Sequence, residues 1–178
     1  MWEIILVILI LSCLFVMSWF LMIPWFFGAP YDITRKKALK NIIKLTNLQS
    51  KDKIAELGSG DGRICIALAK KNPKAKIYGF EINPFLVFIS RRKIRKLNLQ
   101  NQIKIYWKNF FKVNLKDFNK IVFFQFRSII PRLEEKFRKE LKTGTKIISH
   151  NWPLLNWKAK KQLGKKHLLE GIVYLYEK

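Results

Sequence analysis

The chain has 178 residues, enough for one domain with little left for a second. Its two cysteines exclude a disulfide framework, and its two histidines, His150 and His167, make no metal-ligand spacing with them. Thirty-five basic against 12 acidic residues give a formal net charge of +23, which excludes an acidic, self-solvating chain and directs attention to anionic partners.

Residues 4 to 27 carry no charge and are almost wholly apolar. As a helix, Ile4 to Ile23 spans about 30 Å, the thickness of a bilayer's hydrocarbon core. Trp2, Trp19 and Trp25 stand where interfacial aromatic anchors occur. A cleaved signal peptide fits poorly: Glu3 replaces the expected cation, the run is too long, and no small-residue cleavage site follows. The stretch predicts one membrane-spanning anchor over residues 1–28. Arg35, Lys36, Lys37, Lys40 and Lys44 crowd its exit, so the positive-inside rule places the N-terminus outside and the rest in the cytoplasm, or on the matrix side in a mitochondrion. The basic excess reads as attraction to lipid headgroups, attraction to nucleic acid, or compositional drift. The lysines look scattered, which favours drift with membrane adhesion as a secondary consequence. Both cysteines read as packing residues.

After the turn-like Gly28-Ala29-Pro30, a juxtamembrane segment and helix fill residues 29–50, capped by Thr34 or Asp32 and apolar on the face of Leu39, Ile42, Ile43 and Leu45. The remainder, residues 51–178, alternates strands and helices. Strands are predicted at Lys53–Leu57, Lys76–Glu81, Ile103–Trp107, Lys120–Phe126 and Thr145–His150. Two further strands are expected near Trp157–Leu163 and Ile172–Glu177. Helices are predicted at Gly62–Lys71, from Pro84 to about Leu97, and at Pro131–Leu141. This succession implies an α/β fold, a mostly parallel seven-stranded sheet with helices on both faces, and a ligand crevice at the carboxyl ends of strands one and two.

The segment 54–63, IAELGSGDGR, carries the chemistry. A strand enters a turn with Gly58, Gly60 and Gly62, and a helix leaves it, which is how backbone N–H groups approach an adenosine-containing ligand. Glu81 follows at the tip of the second strand, placed to accept from a ribose diol, with Asn83 in support. The register is G-x-G-x-G, and Arg63 stands where a dinucleotide site has its third glycine.

Glu56, Gly58, Gly60 and Gly62 form E-x-G-x-G-x-G, which resembles motif I of the Rossmann-like class I S-adenosylmethionine-dependent methyltransferases. That resemblance implies S-adenosyl-L-methionine as cofactor, with Ser59 and Asp61 in its turn and Glu56 toward the methionyl amino group. Arg63 reads equally as a site residue or a surface cation. The resemblance also sets an adenine contact after strand three, where this chain has Asn109 and Phe110 in place of the usual acidic residue. Enzymes that act on exocyclic base amines carry Asn/Asp-Pro-Pro-aromatic after strand four; here Phe124-Gln125-Phe126-Arg127-Ser128 stands instead, which speaks against nucleic acid as substrate.

Taken whole, the chain resembles the membrane-anchored protein-lysine methyltransferases acting on the ATP synthase c-subunit and the adenine nucleotide translocase, with their prokaryotic relatives. Gly28-Ala29-Pro30-Tyr31, Leu57 to Arg63, Gly79 to Pro84, Ser90-Arg91, Ser149-His150 and Trp157 carry the likeness. It implies lysine methylation on a membrane or membrane-adjacent protein, with membrane lipid as a second partner. It also brings Tyr31 and Thr34 over the site, though Tyr31 reads equally as an interfacial aromatic at the membrane edge; Tyr31, Phe126 and Trp152 are the candidates to line the transfer axis. The alternatives are a small-molecule or lipid acceptor, and a non-catalytic cofactor-binding module for membrane or RNA. No metal is called for.

Overall fold

The computed structural model describes residues 1–26, 34–165 and 171–178, the side chains of 19–26 excepted. Helix α1 (Trp2–Phe26) is followed by α2 (Lys36–Thr46), β1 (Lys53–Leu57), α3 (Arg63–Lys71), β2 (Lys76–Glu81), α4 (Pro84–Lys96), β3 (Ile103–Trp107), β4 (Lys120–Phe123), α5 (Ile130–Glu140), β5 (Lys146–His150), β6 (Lys161–Leu163) and β7 (Val173–Glu177). The strands form one sheet in the order β3-β2-β1-β4-β5-β7-β6. The first five run parallel, and β7 inserts antiparallel between β5 and β6.

Side-chain alternation along the strands divides the interior into two cores. Ile54, Ile77, Val122 and Ile148 point to the side covered by α2, α3 and α4, where Ile42, Leu68, Val87 and Ile94 meet them. Ala55, Phe80, Ile121, Phe123 and Ile147 point to the other side, against Leu133 and Phe137 of α5 and the loop residues Leu115 and Phe118. Strands buried on both faces read as continuous apolar runs, as β4 does.

Three local expectations change. The α2 N-cap is Arg35, in extended conformation and without a side-chain capping bond; Thr34 is buried beside it, and Asp32 lies outside the described residues. Strand β4 stops at Phe123 because Gln125 leaves the ladder to bond across to β1. Strand β6 is only Lys161–Leu163, at the sheet edge.

Among the described residues no helix is long and apolar enough to cross a membrane. The membrane-spanning anchor expected over residues 1–28 is therefore not shown; residues 27 and 28 lie outside the described residues.

Candidate active site

The glycine turn hangs on the end of β2. The N–H groups of Gly58 and Ser59 both donate to the Phe80 carbonyl, at 2.8 and 3.1 Å, and Gly62 N–H closes the turn onto Ser59 at 2.9 Å. Gly58 has φ +79°, and a Cβ there would stand 2.1 Å from Gln125 Nε2. Gly62, at φ +78°, is the N-cap of α3 and faces Ser90 Cβ at 3.0 Å from where its own Cβ would be. Both positions favour glycine through their positive φ; a Cβ at Gly58 would also displace the Gln125 amide, and one at Gly62 would press on Ser90. Beneath the turn Ser59 Oγ is buried against Gly79 and has no hydrogen-bond partner among the described residues.

Glu81 is the hub of the crevice mouth. Its Oε2 accepts from Gly60 N–H at 2.8 Å, and its Oε1 accepts from Ile82 and Asn83 N–H, each at 2.8 Å. Burial pushes its pKa up while these three bonds oppose the shift. A carboxylate offers about four lone-pair sites, so a free one remains on Oε2 beside Gly60. Asn83 serves Glu81 through its backbone, while its Oδ1 caps α4 by accepting from Phe85 N–H at 2.9 Å. Pro84 follows at the first helical position.

Glu56 turns away from the mouth into the first turn of α3. Its Oε2 accepts from Cys65 N–H at 2.9 Å and from the Cys65 thiol at 2.7 Å. Burial raises its pKa from 4.5 to about 8, against the lowering effect of the Cys65 bonds, so the carboxyl is mostly protonated at neutral pH. The same burial, with Glu56 beside it, lifts the Cys65 thiol. Cys65 is therefore more than packing: it supplies two of the bonds that hold Glu56.

Asp61 clamps the turn from outside. Burial alone would raise its pKa, but bonds from Arg63 Nε at 2.9 Å and Lys93 Nζ at 2.6 Å outweigh it and hold the carboxyl at about 2. Arg63 also donates to the Thr34 carbonyl at 3.3 Å, tying the segment before α2 to the turn. Arg63 is thus engaged with Asp61 and the segment before α2.

The structure thus joins Glu56, Gly58, Ser59, Gly60, Asp61, Gly62, Arg63, Glu81 and Asn83 at the carboxyl ends of β1 and β2. Asn109 and Phe110 stand beyond β3 on one flank, and Phe126 beyond β4 on the other. Asn109 Oδ1 is engaged in accepting from Phe111 N–H at 2.9 Å, capping a short 3-10 turn, so the adenine role expected of it has to use the oxygen's remaining lone pair or the amide N–H. Phe110 is half-buried, its ring 4.6 Å from Phe111. Phe126 is half-buried. Trp152 takes the Ser149 hydroxyl on its carbonyl at 2.5 Å. Tyr31 and Gly28-Ala29-Pro30 lie outside the described residues.

Two neighbours of the site went unread in the sequence. Gln125 Nε2 donates to the Leu57 carbonyl at 3.0 Å, roofing Gly58; its signal was a lone amide in the apolar run 121–126. Trp107 Nε1 donates to the Ile82 carbonyl at 2.8 Å, fixing an exposed indole beside Glu81.

A seven-stranded sheet of this order, with a glycine turn after β1 and an acidic residue closing β2, is the Rossmann-like methyltransferase fold. A solved RNA methyltransferase from Salinibacter ruber, in complex with S-adenosyl-L-homocysteine, shares it with a TM-score of 0.76 at 23% identity, over 82% of this chain and 93% of that one. The sequence profile of the ANTKMT methyltransferase domain matches residues 56–161, and the chain belongs to that family. An ATP synthase c-subunit lysine N-methyltransferase of Xenopus laevis is 33% identical over 129 residues, 72% of this chain and 55% of that protein. A protein-lysine N-methyltransferase of Saccharolobus islandicus is 30% identical over 148 residues, 83% of this chain and 92% of that protein. The chain spans about half the length of the Xenopus and mouse relatives it matches.

Proposed function

We propose that the protein is an S-adenosyl-L-methionine-dependent lysine N-methyltransferase acting on a membrane or membrane-adjacent protein. The observation that carries the reading is the Glu81 carboxylate, gathered by three N–H groups at the crevice mouth with a lone pair left beside Gly60 for a ribose hydroxyl. The names of the relatives and the glycine turn support the same conclusion.

The cofactor supplies an electrophilic methyl on a sulfonium; the chain's task is to hold an amine in line with it. Gly58, Gly60 and Gly62 present backbone to it, Ser59 and Asp61 shape the turn, and Asn109 and Phe110 take the adenine side. Phe126, beyond β4, and Tyr31, by the family resemblance alone, are the candidates for the acceptor side, where aromatic faces favour cationic groups. The lysine amine must arrive unprotonated, and a surface of net positive charge lowers its pKa. In-line alignment in a water-poor cleft is the main source of rate.

Helix α1 is the membrane anchor in this proposal. Every described side chain from Met1 to residue 18 is exposed, and Glu3 carries the only charged side chain among them. The N-terminus lies outside, and the domain faces the cytoplasm or, in an organelle, the matrix.

The proposal is tested by incubating source membranes with the protein and cofactor, then sequencing modified peptides by mass spectrometry. New methyl-lysine on a membrane protein is the expected result. Methylated lipid or small molecule without methyl-lysine would overturn it.

A further inference from the structure

Part of the basic excess is concentrated at one edge of the domain. Helix α4 ends in Arg91, Arg92, Lys93, Arg95 and Lys96, and neither α4 nor β3 contains an acidic residue. Val87, Ser90 and Ile94 turn inward. At about 100° per residue, Phe85, Phe88, Arg91, Arg92, Arg95 and Lys96 fall within an arc of about 140° on the outer flank. Lys93 lies off this arc and belongs to Asp61.

Large exposed apolar side chains concentrate at the same place. Among the described residues beyond α1 they are Phe85, Phe88, Leu97, Tyr106, Trp107 and Leu155; Tyr106 turns to the other sheet face, stacked on Phe80 at 5.6 Å, and Phe85, Phe88, Leu97 and Trp107 belong to α4, its C-cap or the end of β3. Phe88 is 62% and Trp107 65% exposed. Strand β3 is the sheet edge, and Arg91 guards it by donating from Nε and a terminal nitrogen to the Ile105 carbonyl at 3.1 and 2.7 Å. A cavity of about 300 Å³ opens between α4 and β3, walled by Arg91, Arg95 and Lys104. Edge protection explains cations on β3, but it leaves two phenylalanines and an indole in water unexplained.

We infer that the α4–β3 face docks the domain on an anionic lipid bilayer, with Arg92, Arg95 and Lys96 on headgroup phosphates and Phe85, Phe88 and Trp107 at the headgroup–acyl boundary. Cations interleaved with aromatic rings, with no acid among them, are the composition of a surface that lies in a membrane interface. The face belongs to the folded domain, so the inference stands apart from methyl transfer and adds to anchoring by α1 a contact that orients the crevice rim, since Trp107 is bonded to Ile82 beside Glu81.

Hydroxyl-radical footprinting of the full chain with vesicles tests this directly. Oxidation of Phe85, Phe88 and Trp107 is compared in phosphatidylcholine alone and with about 30% phosphatidylglycerol, with Leu155 as the internal control. The expected result is a fall of about threefold or more with anionic vesicles only, reversed by high salt. In R92E/R95E/K96E the protection is lost, while co-sedimentation with neutral vesicles, which reports on α1, is unchanged. Equal oxidation in the two lipids would overturn the inference, and so would protection by single-stranded RNA without protection by anionic vesicles. The lipid comparison on the unmutated chain decides the matter even where the triple variant folds poorly.

Discussion

Gln125 and Gly58 are locked together across the crevice floor: the amide nitrogen that bonds the Leu57 carbonyl at 3.0 Å stands 2.1 Å from the place of a Gly58 Cβ. Gly58→Ala therefore meets both a clash and a φ of +79°. It is expected to lose about 1–3 kcal/mol of stability and to weaken S-adenosyl-L-homocysteine binding at least about tenfold. Denaturant melts and calorimetric titration measure the two. Gln125→Ala in the same chain removes the clash but not the strain, so it restores only part of the stability.

Glu81→Gln keeps one carbonyl oxygen for the three N–H donors and turns the other position into a donor facing one of them. Cofactor affinity is expected to fall about 10- to 100-fold by titration, with a smaller loss of stability. An unchanged affinity would remove Glu81 from the site.

Glu56 makes stability depend on pH in a defined direction. Its folded pKa of about 8 lies above its ordinary 4.5, so its contribution is fully present below about pH 4.5 and is lost as pH rises through about 8. Asp61 works oppositely: held at about 2, it contributes above about pH 4 and loses that contribution as pH falls toward 2. Glu56→Gln should flatten the alkaline limb of a stability–pH curve between about 5 and 8, where the native slope approaches at most about 1.4 kcal/mol per unit. A parallel slope in wild type and variant would contradict the assignment.

Lys120 and Asp52 form a buried pair at 2.5 Å that ties the α2 C-cap, through the Asn47 carbonyl, to the start of β4. Lys120→Met strands Asp52 and is expected to cost about 3–5 kcal/mol in urea denaturation. The double change D52L/K120M should recover only part of that loss, because no charge is then left alone but the Gln49 N–H and the Asn119 amide lose their acceptor.

The legible parts of this protein were those written in local pattern. The five parallel strands, the glycine turn and Glu81 follow from apolar runs, glycine spacing and the interval to the second strand. The insertion of β7 between β5 and β6 was not legible, because strand order is a long-range pairing. Side-chain-to-backbone bonds were equally hidden: Asn109 also caps a turn by accepting from Phe111 N–H, and Cys65 reads as packing but holds Glu56. The basic stretch of α4 was visible in sequence, yet its meaning needed the helix wheel and the exposed rings of Phe88 and Trp107 beside it.

The most direct test of the central claim is transfer of radiolabelled methyl from S-adenosyl-L-methionine, using the purified protein, membranes from its own source and a Glu81→Ala control. The account predicts a labelled protein band, with the label on lysine, that is lost in the control. Label confined to extracted lipid, or no transfer by a protein that binds the cofactor, would contradict it.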